Sequence, residues 1–244
     1  MNLFLLRALA VIVILIFLSF LLIGIEPMIQ SLTLMEDVVY LTQKQLILCF
    51  TSGVVAIIIG VSAGIILSRS FMMPFAAAFM QFFNLGITIP VLALLAFAMI
   101  FFGIGFWSAW WTLVFVSLLP IARNSWTAFR ACSPQLLETG RGMGMNSWQL
   151  FWYVELPNSL RLIITGVRIG MTFNIGSAPL VFLIGAESLG ELIFIGLKLN
   201  EPHILFAGSF STALMAILVD VFFNLLALLC VSRGLQMHAA AVRA

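Results

Sequence analysis

The chain alternates long apolar runs with short polar connections. Ala8 to Ile25 is unbroken apolar sequence after Arg7, and its length predicts a membrane-spanning helix. A signal peptide is the competing reading. However, Glu26-Pro27-Met28 follows the run in place of a small-residue cleavage site, and Pro27 stops the helix. Glu26 to Lys44, with Glu36 and Asp37, is the first polar connection, and Leu46 to Ser68 is the second span, closed by Arg69. Gly53, Gly60 and Gly64, with Ser52, Ser62 and Ala63, give that span a small-residue face suited to close helix packing.

Pro74 to Gly105 is too long for one straight span. Gly86 and Pro90 both weaken a helix, so the pattern predicts a short amphipathic approach segment and then a third span from about Gly86 to Phe102. The break either lines a pathway or is a packing kink. Gly103 to Trp107 reads as a tight turn, and Trp107, Trp110 and Trp111 suit an interface belt. Trp110 to Ala122 is the fourth span, with Pro120 near its end. Leu162 to Gly185 is the fifth, interrupted by Arg168, Asn174, Gly176 and Pro179. Ala186 to His203 is a polar connection whose apolar middle, Leu189 to Leu197, is expected to dip into the interface. Ile204 to about Leu226 is the sixth span.

Composition agrees with this pattern. Of 244 residues, 63% are hydrophobic and 8% charged, against about 25% charged in a soluble domain, so the chain reads as an all-α integral membrane protein. Barrel strands would alternate over about ten residues, which these runs do not. A net charge of +2 with no basic run gives no reason to expect nucleic acid. Cys49, Cys132 and Cys230 are scattered, and His203 and His238 lie far apart, so no metal site or nucleophile–base pair emerges.

Charge sets the orientation. Arg7, Arg69, Arg123, Arg130, Arg141, Arg161, Arg233 and Arg243 fall on one side of a six-span arrangement. Lys44 and Lys198 fall on the other, with Glu26, Glu36, Asp37, Glu187, Glu191 and Glu201. The positive-inside rule then predicts six helices with both termini in the cytoplasm. It divides the chain into an N-terminal helix and outer loop (1–44), a transmembrane domain (45–232) with a cytoplasmic loop at 123–161, and a tail (233–244).

Within that loop, Ser133 to Pro157 is the one long polar interruption. Ser133-Pro134 reads as a capped helix start. A short helix from Gln135 to about Thr139 follows, weakened by Gly140 and Gly142. Asn146 with Gln149 is a loose capping box for a second helix, Trp148 to Glu155, which Pro157 should end. Two helices around a glycine turn are too small to fold alone and call for a partner surface; the alternative is an amphipathic loop lying on the bilayer.

This stretch resembles the cytoplasmic signature of permease subunits of binding-protein-dependent ABC importers: Glu-Ala-Ala, three residues, Gly, nine residues, Ile-x-Leu-Pro. Glu138 begins it, Gly144 follows at the right interval, and Val154-Glu155-Leu156-Pro157 closes it. Thr139 and Gly140 replace the two alanines, and Val154 the isoleucine. Alanine at 140 should stiffen the helix by about 1 kcal/mol. Gly185-Ala-Glu-Ser-Leu-Gly190, Ile87-Thr-Ile-Pro90 and Leu119-Pro120-Ile-Ala-Arg-Asn124 resemble the osmoprotectant branch, although Glu187-Ser188 stands where that branch more often has small residues. The similarity covers roughly residues 45 to 230.

The resemblance implies a MetI-like type I permease core in a bacterial inner membrane. It implies a second permease copy or paralogue, cytoplasmic ATPase subunits that carry ATP and magnesium, and an extracytoplasmic binding protein. It places ATPase coupling on Glu138, Thr139, Gly140, Arg141, Gly142, Gly144, Glu155, Leu156 and Pro157. This chain has no GxxxxGK[ST] phosphate loop, and no bound cofactor is expected. The implied function is import of glycine betaine, choline or a related solute. Import of methionine or another small solute is the near alternative. An ATP-independent channel or scaffold is the alternative of another class.

Two further groups stand out. Thr88, Pro90, Met171, Thr172 and Asn174 are candidates for the translocation pathway, with helix packing as the competing role. Arg168 and Asp220 are ionisable residues inside spans, and an ion pair between them is the expectation.

Overall fold

The computed structural model describes residues 28–230; the first predicted span, Ala8 to Ile25, and the tail at 233–244 lie outside the described residues. Everything described is helical. The helices are α1 (Met28–Ser68), α2 (Met73–Thr88), α3 (Val91–Phe102), α4 (Phe106–Arg130), α5 (Pro134–Gly142), α6 (Ser147–Leu150), α7 (Leu156–Ser177), α8 (Gly190–Leu199) and α9 (Pro202–Cys230). A π-turn, Phe151–Glu155, joins α6 to α7, and a 3-10 segment, Ala178–Ile184, extends α7. Among the described residues four helical segments are long and apolar enough to cross a membrane, or five if the bent Ser70–Thr88 run counts as one.

Several elements depart from the sequence pattern. α1 has 41 residues and starts at Met28, so most of the expected polar connection is helix. At 1.5 Å per residue it is about 60 Å long, twice a hydrocarbon core. Helix propensity continues through Glu36 and Asp37 because no glycine or proline lies between Pro27 and Gly53. Gly86 does not break its helix. The break falls at Ile89-Pro90, where Ile89 is extended (φ −72°, ψ 125°), as a residue before proline should be. That leaves α3 with 12 residues, too few to span alone. α4 continues past Ala122 to Arg130 with Pro120 inside it, and the Asn124 side chain donates to the Pro120 carbonyl at 2.8 Å. The expected interfacial segment at Leu189–Leu197 is α8, whose Leu192 and Gly196 are buried.

The described residues fall into two compact units. The first comprises 28–51, 91–113 and 174–221. Its core gathers Leu48, Leu95, Leu113, Ile175, Val181 and Met215, with Trp110 packed beside them. α8 and α9 meet closely: a Cβ on Gly196 would lie 2.4 Å from the Leu205 nitrogen. At the start of α8 a Cβ on Gly190 would lie 1.8 Å from the Pro179 carbonyl oxygen, so only glycine fits.

The second unit comprises 52–90, 114–173 and 222–230. Here the small-residue face of α1 is used for packing. A Cβ on Gly60 would approach Ile121 of α4 to 2.8 Å, and one on Gly170 of α7 would approach the same side chain to 2.8 Å. Ile121, fully buried, thus sits between two glycines on two helices. Gly64 faces Ser125 and Gly53 faces Met171 in the same manner. Large apolar side chains are exposed in both units: Phe50 is 67% exposed, Ile100 75% and Phe101 76% in the first, and Phe71 69% and Phe75 61% in the second. Water would not tolerate such a surface, and lipid requires it.

Gly190→Ala should cut the yield and melting temperature of detergent-purified protein, because the obstructing atom is backbone. Gly142→Ala, with nothing within 4 Å of its Cβ, should match or exceed wild type by up to about 1 kcal/mol. Equal melting temperatures for the two variants would contradict the packing described.

Candidate functional site: the 133–157 loop and its anchors

The loop builds outward from its turn. α5 starts at Ser133-Pro134 as expected, but the Ser133 hydroxyl donates to the Gln135 side chain rather than capping backbone amides. The helix does not stop at Thr139; it runs to Gly142. Gly144 then takes φ +81°. The Met145 amide donates to the Gly140 carbonyl at 3.2 Å and the Gly144 amide to that of Arg141 at 2.9 Å. This is a Schellman turn, in which glycine supplies the left-handed residue. Asn146 and Gln149 complete the capping box, with bonds of 2.8 and 2.9 Å between each side chain and the other's backbone amide.

The second helix departs most from expectation. Pro157 does not end it; α6, the π-turn and α7 form one helical run. Proline has no amide hydrogen, and its ring collides with the carbonyl four residues back. Widening the ladder relieves the collision: the Leu156 amide donates to Phe151, five residues back. The Asn158 side chain then satisfies the Val154 carbonyl at 2.7 Å.

The candidate coupling residues divide into two groups. Glu138, Thr139, Arg141, Gly142 and Gly144 are exposed around α5 and its turn, and Leu136 is 45% exposed. Gly140 is buried, and a Cβ there would lie 2.6 Å from a terminal methyl of Leu150. Alanine at 140 therefore cannot simply stiffen the helix; the Leu150 methyl must move. Glu155 also points inward. Its carboxylate pairs with Arg69 at 2.8 Å and is 14% exposed. Leu156 packs with Phe129 and Ile163, while Pro157 is exposed. Sequence reasoning counted Arg69 only as a cytoplasmic charge. Its position directly after an apolar span was the available signal.

The pathway candidates do not share one environment. Thr88 and Pro90 are exposed at the α2–α3 break. Met171 is buried against Gly53, and Thr172 is half-buried. Asn174 is fully buried, and its amide donates to the Leu113 carbonyl at 3.4 Å. Arg168 and Asp220 belong to different units. Within its own unit Arg168 donates to Asn224 at 3.4 Å.

A second polar cluster lies on the first unit. Glu187 accepts from the Tyr40 hydroxyl at 3.0 Å and pairs with Lys44 at 2.8 Å, and the ammonium sits 5.0 Å from the Tyr40 ring centroid. One position on, the buried Gln45 side chain accepts from the Leu189 amide at 3.0 Å. α1 thus grips the 185–189 loop at two points. The Lys44 hydrogen bond, and after it the Tyr40 bond, hold the Glu187 carboxyl below the usual glutamate range.

Two predictions follow from these geometries. Gly144→Val should strain the turn by about 1–2 kcal/mol and expose 133–147 to protease, whereas Gly144→Asn should lose less. Equal cleavage of the two would contradict the turn. Glu187 contributes fully above the ordinary glutamate pKa, and its contribution is lost as pH falls through the lowered value. Melting temperature should therefore fall on acidification across that window, and Glu187→Gln should flatten that part of the profile.

Comparison with known proteins agrees with this architecture. Residues 56–233 match the family described as binding-protein-dependent transport system inner membrane component. An osmoprotectant import permease protein of Salmonella typhimurium, OsmY, is 46% identical over 184 residues, 75% of this chain and 78% of that protein. A glycine betaine/carnitine/choline transport system permease protein of Bacillus subtilis, OpuCB, is 36% identical over 75% of this chain and 84% of its own length. Among solved structures, an inward-facing form of the MetNI methionine ABC transporter shares the fold. Its TM-score is 0.71 at 20% identity, over 82% of this chain and 99% of that one. The chain belongs to the family of inner membrane components of binding-protein-dependent transport systems.

Proposed function

We propose that the chain is the permease of an ATP-driven importer for osmoprotectants such as glycine betaine or choline. The observation that carries this reading is the 46% identity to an osmoprotectant import permease across three quarters of the chain. The substrate class is taken from that relative. ATP hydrolysis belongs to a separate subunit, with its ATP and magnesium.

The mechanism rests on the loop. The exposed face of α5, with Glu138, Thr139, Arg141 and Leu136, is where a cytoplasmic ATPase docks. Glu138 offers a carboxylate to a basic group, and the Schellman turn at Gly144 lets the partner backbone come close. α6 and the π-turn continue as one helical run into α7, so movement of the docked α5, passed through the Gly144 turn, tilts a span as a rigid body. Six spans with both termini in the cytoplasm follow from the arginine distribution. Two permeases, identical or paralogous, form the pathway, and an extracytoplasmic binding protein delivers the solute. Thr88 and Pro90 at the helix break, and Met171, Thr172 and Asn174 on α7, are the pathway candidates. An Arg168–Asp220 pair remains part of this reading.

The test is uptake of labelled glycine betaine, choline and methionine by cells expressing the full operon, at high and low osmolarity. Betaine or choline uptake that requires the ATPase gene is expected. Methionine-only uptake would overturn the substrate, and uptake without the ATPase would overturn the coupling.

A further inference from the structure

Arg69 follows the end of α1, and its backbone is extended (φ −75°, ψ 148°). Its side chain turns into the second unit. The guanidinium lies 5.4 Å from the Phe151 ring centroid and 5.9 Å from that of Phe129. The two rings are stacked, with centroids 5.9 Å apart and planes 18° from parallel. One guanidinium nitrogen reaches Glu155 at 2.8 Å. Phe151 and Glu155 are the first and last residues of the π-turn, so Arg69 touches both ends of it. Ser159, a turn further on and fully buried, donates to the Ala128 carbonyl at 3.1 Å and fixes the start of α7 against α4.

A π-turn holds one more residue than the α-helical turn it replaces. If it relaxed to α-helical register, everything N-terminal to it would rotate about the α7 axis by about 100°, one residue's worth. Leu150, seated against Gly140 just before the turn, would carry α5 round with it. A guanidinium that lies over the ring at one end of the turn and binds the carboxylate at the other opposes that slip; a lysine ammonium would supply the charge without the forked donors.

We propose that Arg69 is a positioning residue for energy coupling: with Glu155 it locks the register of the Phe151–Glu155 π-turn and so fixes where α5 is presented. The coupling consequence rests on the permease reading above; the register lock itself does not.

The first arm uses the full chain alone in nanodiscs. Native cysteines are replaced by serine, and spin labels are attached at Ser70→Cys and Leu136→Cys. With Arg69 and Glu155 intact, one narrow distance distribution is expected. Arg69→Met, which keeps most of the apolar stem, should broaden or split it, as should Glu155→Gln. The exchange Arg69→Glu/Glu155→Arg should narrow it again. An unchanged distribution in both single variants overturns the proposal. The second arm uses the complex with its ATPase and binding protein in proteoliposomes. Arg69→Met should keep complex yield, basal ATP hydrolysis and half-saturating solute concentration, while solute imported per ATP falls about tenfold. A merely structural role would lower yield and leave that ratio alone, which would overturn the proposal. If no ATPase binds even the unaltered chain, the permease reading falls, and the spin-label distances still decide the register lock.

Discussion

In lipid a backbone amide or carbonyl has no water to turn to, and this constraint governs the structure. Helices satisfy it along their length, so the telling places are where the ladder is interrupted. At Pro120 the helix runs on, and the Asn124 side chain adds a bond to the proline carbonyl. At Pro157 the ladder widens to a π-turn and Asn158 covers Val154. After the 3-10 segment, Gly185 turns left-handed and Gln45 reaches across to the Leu189 amide. At each of these places a polar side chain bonds a backbone group beside the interruption.

Close approach of helices is the second consequence. With no water to expel, packing has to come from contact, and small residues permit it. Ile121 between Gly60 and Gly170 shows the pattern: one large side chain fills the space that two glycines leave. Contacts packed in this way have little room to yield.

Much of this was legible in the sequence. The apolar runs gave the long helices, and the spacing from Glu138 to Pro157 identified the family. The turn expected from Gly103 to Trp107 is confined to 103–105, because Phe106 and Trp107 already belong to α4. The start at Pro134 and the break at Pro90 were read correctly, but the boundary at Pro157 was misread, because sequence marks the loss of a hydrogen bond but not its repair. Pro157 reads as a helix end until Asn158 and the π-turn are seen. Gly140 reads as a flexible position until Leu150 is seen against it. The Arg69–Glu155 pair joins residues 86 positions apart in sequence, a separation at which no local pattern links two charges. Glu155 lies inside the family signature, yet its side chain is taken up within the chain, so a motif position need not be a contact position.

The central claim is that the exposed face of α5 docks on an ATPase. A photocrosslinking residue at Leu136, in cells carrying the whole transport operon, tests it directly. The account predicts a crosslink to the nucleotide-binding subunit whose yield changes with ATP. Crosslinks to lipid alone, with that subunit present and active, would contradict it.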